Sequence, residues 1–144
     1  MAVGSKFNDF TNQLGLSKHT FGTHQYNIML TNTAPIATNS VKADLTEIST
    51  TGGYTADGLT ATATWSAAGG TGTLTGTKVV FTASGGSIGP FRYCVLLNVT
   101  QTSPLKPLVC WWDYGPSGVT LNAGETFSVK FNNSDTTGTI LTIT

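Results

Sequence analysis

The sequence predicts an all-β chain folded as an antiparallel two-sheet sandwich with a short N-terminal arm. Three observations carry that expectation. Apolar and hydroxyl residues alternate with period two over short runs, as in Leu59-Thr60-Ala61-Thr62-Ala63-Thr64-Trp65, the pattern of a half-buried strand. Threonine supplies 27 of the 144 residues, and a β-branched side chain bearing a hydroxyl suits the wetted face of a strand better than a helix interior. Glycine pairs at 52–53, 69–70 and 85–86 punctuate the runs at turn positions.

The elements follow in chain order. Phe7, Phe10 and Leu14 recur at helical spacing and Gly15 closes the stretch, so a short helix with one apolar stripe is expected within an arm spanning residues 1–23. Tyr26, Ile28 and Leu30 alternate on one face of the first strand, and Pro35 ends it. A polar loop leads to Asp44–Ile48, read as a short edge strand or a single turn. Leu59–Ala67 is expected as one half-buried strand with Trp65 inward. A short strand within Thr73–Gly76 and another over Lys78–Ala83 come next. After the Gly85–Pro90 corner, Phe91–Val99 is apolar on both faces and is expected as a covered central strand, as is Lys106–Tyr114. The prolines of Ser103-Pro104-Leu105-Lys106-Pro107 make the hairpin between them. Val119–Leu121, Thr126–Asn132 with Phe127, Val129 and Phe131 inward, and Gly138–Thr144 complete eight to ten strands. No internal repeat or linker divides residues 24–144, which read as one sandwich domain, jelly-roll-like with an immunoglobulin-like arrangement as the alternative.

Composition limits the chemistry. Charged residues make up 10% of the chain, far below the roughly 25% usual for soluble domains, and seven acidic side chains cancel seven basic ones. Without a basic stripe to release counterions, direct nucleic-acid binding is not expected. No apolar run approaches a membrane span, and the N-terminus lacks the unbroken apolar segment of a secretory signal. Cys94 and Cys110 stand inside strands rather than at metal spacing, and are expected as small buried hydrophobes, with a disulfide between neighbouring strands as the alternative if the registers set them side by side.

A catalytic site needs converging acids and bases, and the chain offers two histidines, scattered carboxylates and no nucleophile elbow. His19 and His24 lack a third metal ligand and are expected at the surface or at an interface. No catalytic residue, metal or cofactor is therefore assigned, and the chain is not read as an enzyme. Alternation sends Trp111 and Trp112 to opposite faces, one into the core and one toward a subunit contact. Arg92 and Asp113 would form a cross-strand ion pair if the registers agree. An assembly interface is expected to draw on Phe7, Phe10, Leu14, Arg92, Trp111, Trp112 and Tyr114.

Several stretches together resemble a family. Tyr26–Pro35, Gly53-Tyr54-Thr55, the Ser84–Tyr93 corner, Trp111-Trp112-Asp113-Tyr114-Gly115 and Leu121–Phe127 are similar, in order, to small structural proteins of tailed bacteriophages, over residues 24–144. The resemblance implies a β-sandwich that assembles on the shell, of the capsid decoration or cement type, and transfers no binding residue. The expectation that follows is a virion protein made in the bacterial host cytoplasm and placed on the capsid exterior. It would bridge subunits of the major capsid protein as a homotrimer at three-fold positions, with the arm reaching into a neighbour. The alternatives are a tail or neck component of the virion, and a carbohydrate-binding module or adhesin domain using Trp111 or Trp112 with Tyr114 as a stacking platform.

Overall fold

The described residues are mostly β, with antiparallel sheets and one short helix. The structure, a computed structural model, describes residues 4–144, so residues 1–3 of the expected arm lie outside the described residues. Strand β1 (Ser5–Lys6) leads into helix α1 (Asn8–Gly15), then β2 (Tyr26–Thr31), a single 3-10 turn at Lys42–Asp44, β3 (Leu59–Thr60), β4 (Ala63–Ala68) and β5 (Thr71–Thr77). The remainder is β6 (Val79–Thr82), β7 (Ile88–Phe91), β8 (Tyr93–Asn98), β9 (Leu108–Asp113), β10 (Val119–Leu121), β11 (Thr126–Val129) and β12 (Thr137–Ile143).

Five strands form one sheet in the order β1-β9-β8-β2-β3, three form another in the order β12-β5-β4, and β7 with β10 and β6 with β11 make two-stranded pairs. Strands β2 and β8, two of the three interior strands of the five-stranded sheet, are buried at every residue. One face carries Tyr26, Ile28, Leu30, Cys94, Leu96, Cys110 and Trp112 into the main core, where Val79, Phe81, Ile88, Phe91, Leu121, Val129 and Phe131 meet them. The other face carries Met29, Val95, Leu97 and Leu108 into a second, smaller cluster with Phe7 and Leu45. Apolar residues on both faces of these strands are explained by this double covering.

Two expected strands divide. The 59–67 run holds to period two, yet β3 pairs with β2 while β4 pairs with β5, so the chain changes sheets between Thr60 and Ala63. Trp65, expected inward, is 36% exposed on an edge strand. The 91–99 run breaks at Arg92: Phe91 belongs to β7 and pairs with Val119, whereas Tyr93 opens β8 opposite Asp113. Because of that break, Phe91 joins Cys94 and Leu96 in the main core, and Val95 and Leu97 lie on the opposite face. Of the two readings of Asp44–Ile48 the turn is the nearer: a 3-10 turn ends at Asp44, and Glu47 makes a lone bridge to Thr31. At the end of the chain, Ile140 and Leu141 are half-buried and Ile143 is exposed, because β12 forms the margin of its sheet.

A buried hydroxyl ties two layers of this architecture. The Tyr54 hydroxyl accepts a hydrogen bond from the Leu30 backbone N–H at 3.0 Å and donates one to Glu47 Oε1 at 2.7 Å. Glu47 Oε1 also accepts from the Asp57 N–H at 2.7 Å, and Oε2 meets Lys42 Nζ at 2.6 Å. Asp57 in turn bridges Lys42 and Lys106, at 2.5 and 2.8 Å. These four charges clamp the 42–57 segment to the hairpin after β8. We expect Tyr54→Phe, which strips the Leu30 N–H of its acceptor inside the protein, to lower unfolding free energy by about 1–3 kcal/mol in urea titration.

Candidate assembly surface

The residues proposed from sequence as an interface do not form one surface. Phe7 is fully buried in the second cluster, and its ring lies 4.4 Å from that of Trp111, which is half-buried over the same cluster. Phe10 and Trp112 are buried in the main core, and Leu14 packs at its margin. Tyr114 rests edge-on against Phe127, with centroids 4.9 Å apart. The arm is therefore bound to its own domain: β1 pairs with β9, Phe10 fills core, and Phe7, Phe10 and Trp112 have no surface to offer a partner. The physical reason is that the helix stripe meets an apolar face within reach of its own chain.

Arg92 and Asp113 do form the anticipated pair, in a two-pronged geometry. Arg92 Nε donates to Asp113 Oδ1 at 2.7 Å and Nη2 to Oδ2 at 2.6 Å, while the Gly115 N–H also bonds Oδ1. The guanidinium, followed by the Gly115 N–H, pulls the Asp113 carboxyl down to about 2. Both groups are solvent-exposed, so screening leaves the pair little influence on folding. Asp113→Asn is expected to leave the thermal midpoint near neutral pH almost unmoved, and a marked drop in a melting curve would show the pair to be structural.

The histidines depart from expectation. His19 is 4% exposed, stacked at 6.1 Å over Tyr26 and tilted 5.1 Å from Phe10. Asn98, fully buried, organises this region: its Nδ2 donates to the Lys18 carbonyl at 3.1 Å and to His24 Nδ1 at 2.9 Å, and its Oδ1 accepts from the Thr100 and Gln101 N–H groups. Nothing in the local sequence around Asn98 points to this part. Its role becomes visible once β8 is known to run beneath the 17–24 segment. Burial lowers the His19 imidazole to about 4, assisted by the neighbouring His24. Among the described residues no three His, Cys, Asp or Glu side chains cluster as a metal site would require. Cys94 and Cys110 are buried free thiols, both pushed upward by desolvation.

The surface that stands out is the β12-β5-β4 sheet. Not one residue of its three strands is charged. One face is built of hydroxyls: Thr64, Thr75 and Thr139 form a row across the strands, as do Ser66, Thr73 and Thr142, with Thr71, Thr77 and Thr137 extending it. Thr64 and Thr75 share a hydrogen bond at 2.7 Å. The other face is laid against rings through glycine: a Cβ at Gly72 would come within 2.1 Å of the Trp65 ring, and one at Gly76 within 3.0 Å of Phe131. Strand β5 therefore reads Thr-Gly-Thr-Leu-Thr-Gly-Thr, hydroxyl outward and small or aliphatic inward. Trp65 stacks on Phe21, centroids 5.0 Å apart, which anchors β4 to the 17–24 segment.

No protein-family model, no curated protein and no solved structure matches the chain.

Proposed function

We propose that this chain is a structural module of a virion, of the decoration type, whose task is to lie against neighbouring proteins and not to transform a ligand. The observation that carries the reading is the charge-free three-stranded sheet with its hydroxyl face. Such a surface solvates well enough to keep an isolated copy dissolved, yet carries no ions that must be stripped of water on contact. In fold, we infer a two-layer sandwich of jelly-roll-like kind: the main core is shared between one face of the five-stranded sheet and the strands β6, β7, β10 and β11, which supports two layers. The decoration reading puts the chain on the head, against the major capsid protein. A neck or tail position is the second reading of the same features.

The sugar-platform alternative is less favoured, since Trp112 is core and the half-buried Trp111 and Tyr114 each pack against a phenylalanine. Cryo-electron microscopy of particles, with the chain located by a labelled antibody, tests the proposal. Density on the head lattice is the expected result. Rings along the tail would move the protein to the second reading, and particles free of the chain would end both.

A further inference from the structure

We propose that strand β4 is a self-association edge, pairing antiparallel with β4 of a second copy about a two-fold axis. The inference holds whether or not the chain is a virion component. It begins with backbone groups. The Thr77 N–H donates to the Thr62 carbonyl at 3.1 Å, which makes Thr62 and Thr77 a hydrogen-bonded pair. Along the regular register that follows, Thr64, Ser66 and Ala68 then direct their N–H and C=O groups toward β5. The turn agrees, because Gly69 and Gly70 both have positive φ, +57° and +81°, as a two-residue hairpin closing on Ala68 and Thr71 requires. By elimination, Ala63, Trp65 and Ala67 point theirs away from the sheet. Among the described residues no backbone group of another segment meets them.

An edge strand of this kind is normally blunted by a lysine, a proline, a bulge or shortness. Strand β4 has none of these: it runs six residues, Ala-Thr-Trp-Ser-Ala-Ala, in unbroken register. The two margins of the five-stranded sheet and the far margin of this sheet are protected. Strands β1 and β3 are two residues long, β1 carries Lys6, and β12 is bulged between Thr139 and Leu141. A head-to-tail ring would need β4 of one copy to pair with β12 of the next, and the bulge interrupts that ladder. The three-copy ring expected from sequence therefore finds no regular partner edge in this sheet, whereas β4 matches itself.

The occupant is a second copy on grounds of geometry and charge. Centring the axis on Trp65 sets Trp65 opposite its symmetry mate and Ala63 opposite Ala67, so each outward residue exchanges both its bonds. On the hydroxyl face, Thr64 falls opposite Ser66 of the other copy, a favourable cross-strand pair, and the Thr and Ser rows become continuous across both sheets. Net charge is zero, so the copies do not repel as they approach.

The test combines sedimentation equilibrium with amide hydrogen exchange on the full chain over a dilution series. Expected is a dimer whose formation protects Ala63, Trp65 and Ala67 while neighbouring β4 amides, already bonded to β5, change little. Ala67→Pro removes an outward donor without touching the β4–β5 ladder, and should raise the dissociation constant at least about tenfold. A charge exchange guards against misfolding as an explanation. Thr64→Lys with Ser66→Lys in one sample, and Thr64→Asp with Ser66→Asp in another, should each be monomeric, while their mixture dimerises. A chain that stays monomeric at about 1 mM, a trimer, a dimer with freely exchanging Ala63, Trp65 and Ala67 amides, or a charge pair that fails to recombine would overturn the proposal.

Discussion

Removing residues 1–23 is expected to unfold the protein instead of freeing a domain from its arm. Phe7 and Phe10 are both buried, in different clusters, so the deletion opens a cavity on each side of the five-stranded sheet. Truncating one buried phenylalanine to alanine costs about 3–5 kcal/mol, and small domains are stable by only about 5–15 kcal/mol in total. The deletion also strips β9 of its pairing with β1 and bares Tyr26, over which His19 and Phe21 stack. Near-ultraviolet circular dichroism of the shortened chain should show lost tertiary packing, and the single variant Phe10→Ala should already lower the urea midpoint strongly. A shortened chain with native spectrum and unchanged midpoint would mean that the arm is an appendage after all.

Acid is expected to destabilise the fold well before its carboxylates titrate, through His19. In the unfolded chain this imidazole takes up a proton near pH 6.5, whereas in the fold it holds out until about 4. Between those values the unfolded state binds more protons, so stability falls as pH drops through the window and is fully present only above it. The difference corresponds to about 3 kcal/mol in all. Geometry gives the same direction: the ring is enclosed by Phe10, Phe21 and Tyr26, and its Nε2 is buried with no acceptor among the protein groups. Asp57, held below the usual carboxylate range by Lys106 and Lys42 despite its partial burial, loses its contribution only at lower pH. Urea titrations across the window should show a sloping stability in the parent chain and a much flatter one in His19→Phe. An unchanged slope in that variant would place the acid sensitivity elsewhere.

Legibility from sequence followed the range of the interactions involved. Helix α1 was readable because Phe7, Phe10 and Leu14 lie within one or two turns of each other. That one of Trp111 and Trp112 enters the core, and that Arg92 and Asp113 can pair, followed from alternation along two neighbouring strands joined by a proline hairpin; which tryptophan is buried did not. Strand ends were less readable wherever a run keeps its period while changing partners. Thr60 to Ala63 crosses between sheets with no break in alternation, and Arg92 interrupts an apolar run that looks continuous. His19 read as a surface residue because nothing within its own segment shows that Tyr26, Phe10 and Asn98 converge on it.

For this protein, composition and periodicity by themselves determined an all-β chain, poor in charge, with its aromatic residues arranged on alternate faces; these are properties of neighbouring side chains and of a backbone that repeats every two residues. Only the tertiary structure decided that the arm belongs to the core, that one histidine is buried, and that β4 has no strand paired on its outer side among the described residues. Those outcomes depend on which strands meet across dozens of residues, and pairing of that kind is fixed by the packing of the whole chain, beyond the reach of any local pattern.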